Sequence, residues 1–371
     1  MKLSQIQGQD KVIESLRAAI AAGRLHHAWL FVGPRGVGKR TTAFALAAAV
    51  NCDNGPMGGG LFAGAAPGAT FAEACGSCPS CIKMASGNHP DLHIVAGDER
   101  AEEAGLAGHL LGGGESGDAE GGDDDAKGAG ARRTIKVGKL RDLEYHLLRK
   151  STEGRFKIAI IVDADQMNPH AANALLKTLE EPMGDTLIVL TSSAPSRLPA
   201  TIPSRCRRVR FSALPEPLVA RVLADAHGMT ADRASLLAHV SDGSIGRALA
   251  IEKGEMTDWV IEAVARVAGV PGQDATDALE LAEELGKGKD RADTVRRLLV
   301  LFDLLGVYYR DTAVGAWADG WSRVMAGAAA GDVLRNFEYL DEARRALDLH
   351  VGPQVTLESL FMKMRAAART A

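Results

Sequence analysis

The heptapeptide Gly33-Pro34-Arg35-Gly36-Val37-Gly38-Lys39 constrains this chain more than any other stretch, because of what flanks it. Before it runs Ala28-Trp-Leu-Phe-Val32, a short apolar segment with the character of a buried strand. After it, Thr41 to Val50 is rich in alanine and free of Gly and Pro, as a helix interior requires. Strand, glycine-rich turn and helix in that order make a phosphate-binding loop. The glycines let backbone N–H groups face an anion, Lys39 adds a point charge, and the helix N-terminus adds its partial positive charge. A glycine-rich turn without these neighbours would carry no such meaning.

Two positions depart from what ATP hydrolysis needs. The residue after Lys39 should be Ser or Thr, whose hydroxyl holds magnesium, and here it is Arg40. Thr41 comes one residue late, and with about 100° of rotation per helical residue its hydroxyl is expected to point away from the metal. The unbroken apolar run Lys157-Ile-Ala-Ile-Ile-Val-Asp163 reads as a second buried parallel strand, ending on a carboxylate suited to holding magnesium through water. Ala164 follows, where a hydrolase of this kind places Glu to orient the attacking water. A strand continuing past this point would put Asp165 on the same face as Asp163, not in place of that Glu. Gly33 to Thr41 and Asp163 therefore form a degraded ATP site: nucleotide binding stays open, magnesium is poorly provided for, and turnover is not expected.

Four of the five cysteines, Cys52, Cys75, Cys78 and Cys81, fall in the first quarter of the chain, and Cys75-Gly-Ser-Cys78-Pro-Ser-Cys81 is a tight C-x-x-C-x-x-C cluster. In a reducing compartment such grouping favours metal over disulfides. Four thiolates complete tetrahedral zinc, and a shell with no open position is structural. An iron–sulfur run of this spacing would add a fourth Cys after three intervening residues, where this chain has Ala85.

A length of 371 residues calls for two or three domains. Strand and helix patterns alternate through Asp91–Val95, Gly138–Lys150, Lys157–Asp163, a helix carrying Leu175, Leu176 and Leu179, then Leu187–Thr191 and Arg207–Phe211. That alternation predicts a parallel α/β sheet over residues 1–212, with a zinc module at about 52–90. Between Asp98 and Lys127 ten carboxylates stand against Arg100 and Lys127 among many Gly and Ala, so residues 97–132 are expected to be a disordered acidic insertion. Past Pro215 the strand signals fade, giving short helices over 213–253 and a helical bundle over 254–371. A net charge of −4 argues against a strongly basic nucleic-acid clamp. The absence of a long apolar run predicts no membrane contact and a cytoplasmic protein.

In its phosphate loop, its four cysteines, Asn173-Ala-Leu-Leu-Lys-Thr-Leu-Glu-Glu-Pro182 and Pro203-Ser-Arg-Cys206, the chain resembles the clamp-loader subunits of bacterial DNA polymerase III. Gly246-Arg247 and the segment from Gly352 to Leu360 extend the likeness, while the acidic insertion lies outside it. The resemblance implies an AAA+ core, a helical lid and an α-helical collar that joins a pentameric ring of motor subunits and delta. It implies action on the sliding clamp and primer-template DNA through that assembly. In the delta-prime branch of the family the nucleotide site is degraded, as at Arg40 and Ala164 here. The resemblance also implies that Arg205 reaches the ATP of a neighbouring motor subunit as an arginine finger in trans, and that Arg247 belongs to the second sensor of the nucleotide site. The alternatives are an active motor subunit of gamma/tau type and, less in keeping with the sequence, a zinc-dependent nucleic-acid module. The second lacks the basic and aromatic interleaving that single-strand binding uses.

Overall fold

A computed structural model describes residues 2–55, 73–97, 134–253, 257–288, 290–315 and 333–370. The predicted acidic insertion lies almost entirely outside the described residues, as does the middle of the zinc module. The described residues divide into two compact units, Met1–Ala213 and Leu214–Ala371.

The first unit is built on five parallel strands: β1 Ala28–Val32, β2 Leu92–Val95, β3 Lys157–Ile161, β4 Thr186–Ser192 and β5 Arg207–Arg210. Their spatial order is β2-β3-β4-β1-β5. Every residue of β1, β3 and β4 is buried, which is why their centres are continuous apolar runs instead of alternating, with polar residues confined to the ends of β3 and β4. One face of the sheet, with Trp29, Phe31, Ile158, Ile160, Leu187 and Val189, packs beneath α1 (Asp10–Ala21), α2 (Lys39–Val50) and α3 (Pro79–Ser86). The other, with Leu30, Ala159, Ile161, Ile188 and Leu190, packs beneath α4 (Val137–Leu148) and α5 (Pro169–Glu180). Each large aliphatic chain removed from water here contributes about 1.5–3 kcal/mol.

Asn168 ends the approach to α5 by accepting from the Ala171 N–H at 2.8 Å, and Pro169 fills the first helical position, where a missing N–H costs nothing. Buried polar residues tie the loops down. The Asp91 carboxylate accepts from the N–H groups of Thr152, Glu153 and Gly154 at 2.6, 2.9 and 2.6 Å, and buried Lys157 donates to the carbonyls of Leu147 and Met183.

The second unit is helical: α6 Glu216–His227, α7 Ala231–Val240, α8 Ile245–Lys253, α9 Thr257–Ala268, α10 Ala275–Gly286, α11 Arg291–Val314, α12 Val333–Asp348 and α13 Pro353–Thr370. Apolar residues on both sides of position 253, from Leu214 and Val219 through Ile251 to Phe302, Phe361 and Met364, form a single continuous cluster. No helix among the described residues is long and apolar enough to cross a membrane.

Candidate functional site

Parallel pairing brings the carboxyl ends of β1, β3 and β4 to one edge of the sheet, since Val32 lies opposite Ser192 and Ile161 opposite Leu190. Ligands of open α/β sheets sit in the crevice outside such ends. The phosphate loop leaves β1 there. Gly33 donates its N–H to the Ser192 carbonyl at 3.2 Å, and Gly36 and Gly38 adopt φ of 72° and 99°, conformations that favour glycine. Gly38 caps α2, whose Thr42 returns both its N–H, at 2.8 Å, and its hydroxyl, at 2.9 Å, to the Gly38 carbonyl. Lys39 is 6% exposed, and its Nζ donates to the carbonyls of Gly33 at 2.6 Å and Pro34 at 2.5 Å. The ammonium thus lies inside the loop curl. Val37 is buried, and Gln9 braces it from behind by donating to the carbonyls of Val37 at 3.4 Å and Ser212 at 2.8 Å.

Gly33 is the tightest point of the loop. Its φ is +152°, and a Cβ there would meet the Phe211 carbonyl oxygen at 2.3 Å and the Phe211 Cβ at 2.9 Å. Gly33→Ala is expected to displace the loop from β5 and to lower stability by about 2–4 kcal/mol through backbone strain and overpacking. Denaturant unfolding measures it, and an unchanged midpoint would contradict the close approach.

Arg40 occupies the second position of α2 and is half-buried, while Thr41 is exposed. The strand predicted to run to Asp163 stops at Ile161. Asp163 turns in the left-handed region at φ 51° and donates its N–H to the Thr191 hydroxyl at 3.0 Å, and residues Ala164–Gln166 make a single 3-10 turn. The alternation assumed for Asp165 is therefore replaced by a turn. Asp165 points at the end of β4, accepting from the Ser193 N–H at 3.0 Å and from Gln166 at 3.2 Å. Burial raises its carboxyl, but the hydrogen bonds from Ser192 and Ser193 outweigh it and hold it below the ordinary value. Ala164 is fully buried, so no side chain there reaches a ligand.

Arg205 stands elsewhere. It lies in the single turn Pro203–Arg205 that precedes β5, and β5 starts beside Trp29 at the beginning of β1. The groove around it includes His26, His27, Glu180 and Ser204. The length of β1, five residues at about 3.3 Å each or roughly 16 Å, thus separates Arg205 from this chain's own loop. Arg247 belongs to the second unit, where its guanidinium lies 3.5 Å from Asp303.

The four cysteines converge as the spacing requires. Cys52 follows α2, Cys78 caps α3 by accepting from the Cys81 N–H at 3.4 Å, and Cys81 sits in the first turn of α3. All four Sγ atoms lie within 4.8 Å of one another, with Cys52–Cys78 and Cys75–Cys81 at 4.0 Å. A tetrahedron of bonds near 2.3 Å has edges of about 3.8 Å, so a small contraction closes the shell. Backbone donors support the charge such a shell carries: Cys75 N–H to Cys52 Sγ at 3.3 Å, Cys78 N–H to Cys75 Sγ at 3.3 Å, and Ser77 N–H to Cys75 Sγ at 3.5 Å. Burial raises the Cys75 thiol, but donation from Ser77 and Cys78 prevails and brings it down to about 5, whereas burial pushes Cys52 and Cys81 up. The cluster can hold a metal ion, and its geometry bolts α2 to α3.

Sequence reasoning did not find the acidic partners that fix these parts. Glu73 accepts from the Ser4 N–H and pairs with Arg17 at 3.0 Å, joining the cysteine module to the N-terminal helix; Glu180 pairs with Arg205. The Glu-Glu ending α5 was the available signal for the second.

A family model described as DNA polymerase III, delta subunit, matches residues 8–215. The Bacillus subtilis DNA polymerase III subunit delta' is 35% identical over 206 residues, 56% of this chain and 48% of that protein. The Escherichia coli DNA polymerase III subunit tau is 31% identical over 253 residues, 67% of this chain and 32% of that protein. Among solved structures, a Thermotoga maritima DNA polymerase III gamma subunit-related protein aligns over 96% of this chain and 99% of its own at a TM-score of 0.41 and 15% identity. The chain spans less than half the length of these curated relatives. With the model matching more than half of the chain, phosphate loop and cysteine cluster included, the chain belongs to the DNA polymerase III, delta subunit, family.

Proposed function

We infer that this chain is a clamp-loader subunit of delta-prime type, which organises a ring with motor subunits and delta and supplies Arg205 to a neighbour's ATP without hydrolysing ATP itself. The observation that carries this reading is the separation of parts across the sheet. The loop edge has Arg40 and a buried Ala164 where hydrolysis needs a hydroxyl and a carboxylate, and Arg205 lies at the opposite edge. With the length of β1, roughly 16 Å, lying between the turn that carries Arg205 and the phosphate loop, a phosphate brought by another subunit suits this guanidinium better than one held by its own loop. In this reading zinc is the metal of the Cys52, Cys75, Cys78 and Cys81 site, and it is structural because four thiolates leave no open position. The helices up to about residue 253 act as a lid bearing Arg247, the later ones as the collar, and the assembly works on the sliding clamp and primed DNA in the cytoplasm.

The likeness to tau subunits favours a second reading, an active motor. ATP turnover by the purified chain separates them. Phosphate release is expected to be indistinguishable from that of Lys39→Ala, whereas hydrolysis that depends on Lys39 would establish the motor reading instead.

A further inference from the structure

The guanidinium assigned to a neighbour's phosphate is not idle within its own chain. Arg205 Nη2 lies 2.5 Å from Glu180 Oε1, and Nη1 donates to the Thr201 carbonyl at 3.1 Å and to Ser204 Oγ at 3.3 Å. Glu180 is the last residue of α5, and its place is set from below. His27, just ahead of β1, has its Nε2 2.9 Å from the Leu179 carbonyl, and the Glu181 N–H closes the helix onto Lys177. The carboxylate therefore comes from a fixed helix end, and the arginine from a short turn anchored to β5.

We propose that Glu180 is a positioning residue for Arg205: it stores the guanidinium as a neutral pair at the groove mouth, and an incoming terminal phosphate displaces the carboxylate. Three features support the exchange. Both partners are reachable by solvent, with side chains 36% and 50% exposed, and an exposed pair is weak enough to break. A terminal phosphate can accept from the guanidinium through two oxygens and carries more charge than a carboxylate. The bonds from Nη1 to Thr201 and Ser204 keep the arginine at the groove when Nη2 changes partner. Glu180 also imposes selectivity, because a ligand of low charge cannot outcompete it. The proposal rests on the trans-finger reading and adds its regulation.

The test uses the full chain with Lys39→Ala, which removes the loop as a second anion site, and tripolyphosphate as the probe in isothermal titration at low salt. Glu180→Gln is expected to bind about two- to five-fold tighter than its parent, equivalent to about 0.4–1 kcal/mol. Arg205→Ala is expected to bind weakly, and the gain from Glu180→Gln to vanish in the double variant, as a direct coupling requires. Equal affinity of Glu180→Gln and parent, or a gain that persists with Arg205→Ala, overturns the proposal. Arginine side-chain NMR of the chain with Glu180 intact gives an independent reading: the Arg205 Nε–Hε signal must move when tripolyphosphate is added, and an unmoved signal overturns it as well. Should Arg205→Ala leave a neighbour's turnover intact in the assembly while these exchanges occur as expected, the trans-finger reading fails and the pair does not.

Discussion

Cys78→Ser is expected to lower the stability of the first unit by about 3–5 kcal/mol, or roughly 6–20 °C in its unfolding midpoint, by opening the metal site. The substitution isolates coordination from helix capping. Cys78 is the N-cap of α3, and serine is among the best N-cap residues, so the capping bond to Cys81 N–H survives. What is lost is one ligand of four whose sulfurs already lie within 4.8 Å of one another. The effect should reach the phosphate loop, because the helix that begins at Lys39 leads directly to Cys52 and α3 is clamped to it by Ser80 Oγ on the Asn51 carbonyl at 2.6 Å. Prolonged treatment with a strong chelator should reproduce the shift in the unsubstituted chain, and elemental analysis before treatment should find one zinc per chain and no iron. Differential scanning calorimetry of the substituted and metal-stripped proteins measures both. Midpoints equal to that of the untreated chain would show that the thiols are ordinary core residues.

How much of this was legible in the sequence depends on whether each feature has a local signature. The loop did, since Gly33 to Lys39 lies between an apolar run and an alanine-rich helix, and the structure puts β1 and α2 on those residues. The parallel sheet did as well, because strands buried on both faces leave unbroken apolar runs such as Ile158 to Val162. The cysteine cluster was readable from spacing alone, with Cys52 brought in by the length of α2.

The failures lie where tertiary contacts decide. Val162 continues the apolar pattern of β3 up to Asp163, yet the backbone turns left-handed at Asp163, where the Thr191 hydroxyl from the adjoining strand takes its N–H. Nothing within residues 157–165 announces that partner. The Glu180–Arg205 and Arg17–Glu73 pairs join residues 25 and 56 apart in sequence, and charges on separate elements carry no periodicity. The parallel pairing of β5 with β1, which puts Arg205 at the end of the sheet opposite the loop, is likewise a property of the whole sheet. In the second unit the helical pattern was plain, but the joining of residues on both sides of position 253 into one apolar cluster was not. Amphipathic helices show that they have a buried face without showing which neighbour covers it.

Substitution of Arg205, proposed to act on another subunit's ATP, should have the largest effect of all. Charge builds on the transferred phosphoryl group in the transition state, and a planar guanidinium supplied in trans accelerates related reactions by roughly 10³ to 10⁵, or about 4–7 kcal/mol. The position of Arg205 beside β5, remote from its own loop and held by Glu180, Thr201 and Ser204, gives it no such task within the chain. Lysine cannot offer the same two-pronged contact, so Arg205→Lys should rescue little. The measurement is clamp- and DNA-stimulated phosphate release by loaders rebuilt with the unsubstituted chain, Arg205→Ala and Arg205→Lys, after sizing has shown that each assembles. Assembly of all three, with turnover at the neighbouring site lost in both variants and the total reduced in proportion to that site's share, is the predicted result. Assembly with phosphate release at the unsubstituted rate in both variants would contradict the account, leaving Arg205 a surface cation paired with Glu180.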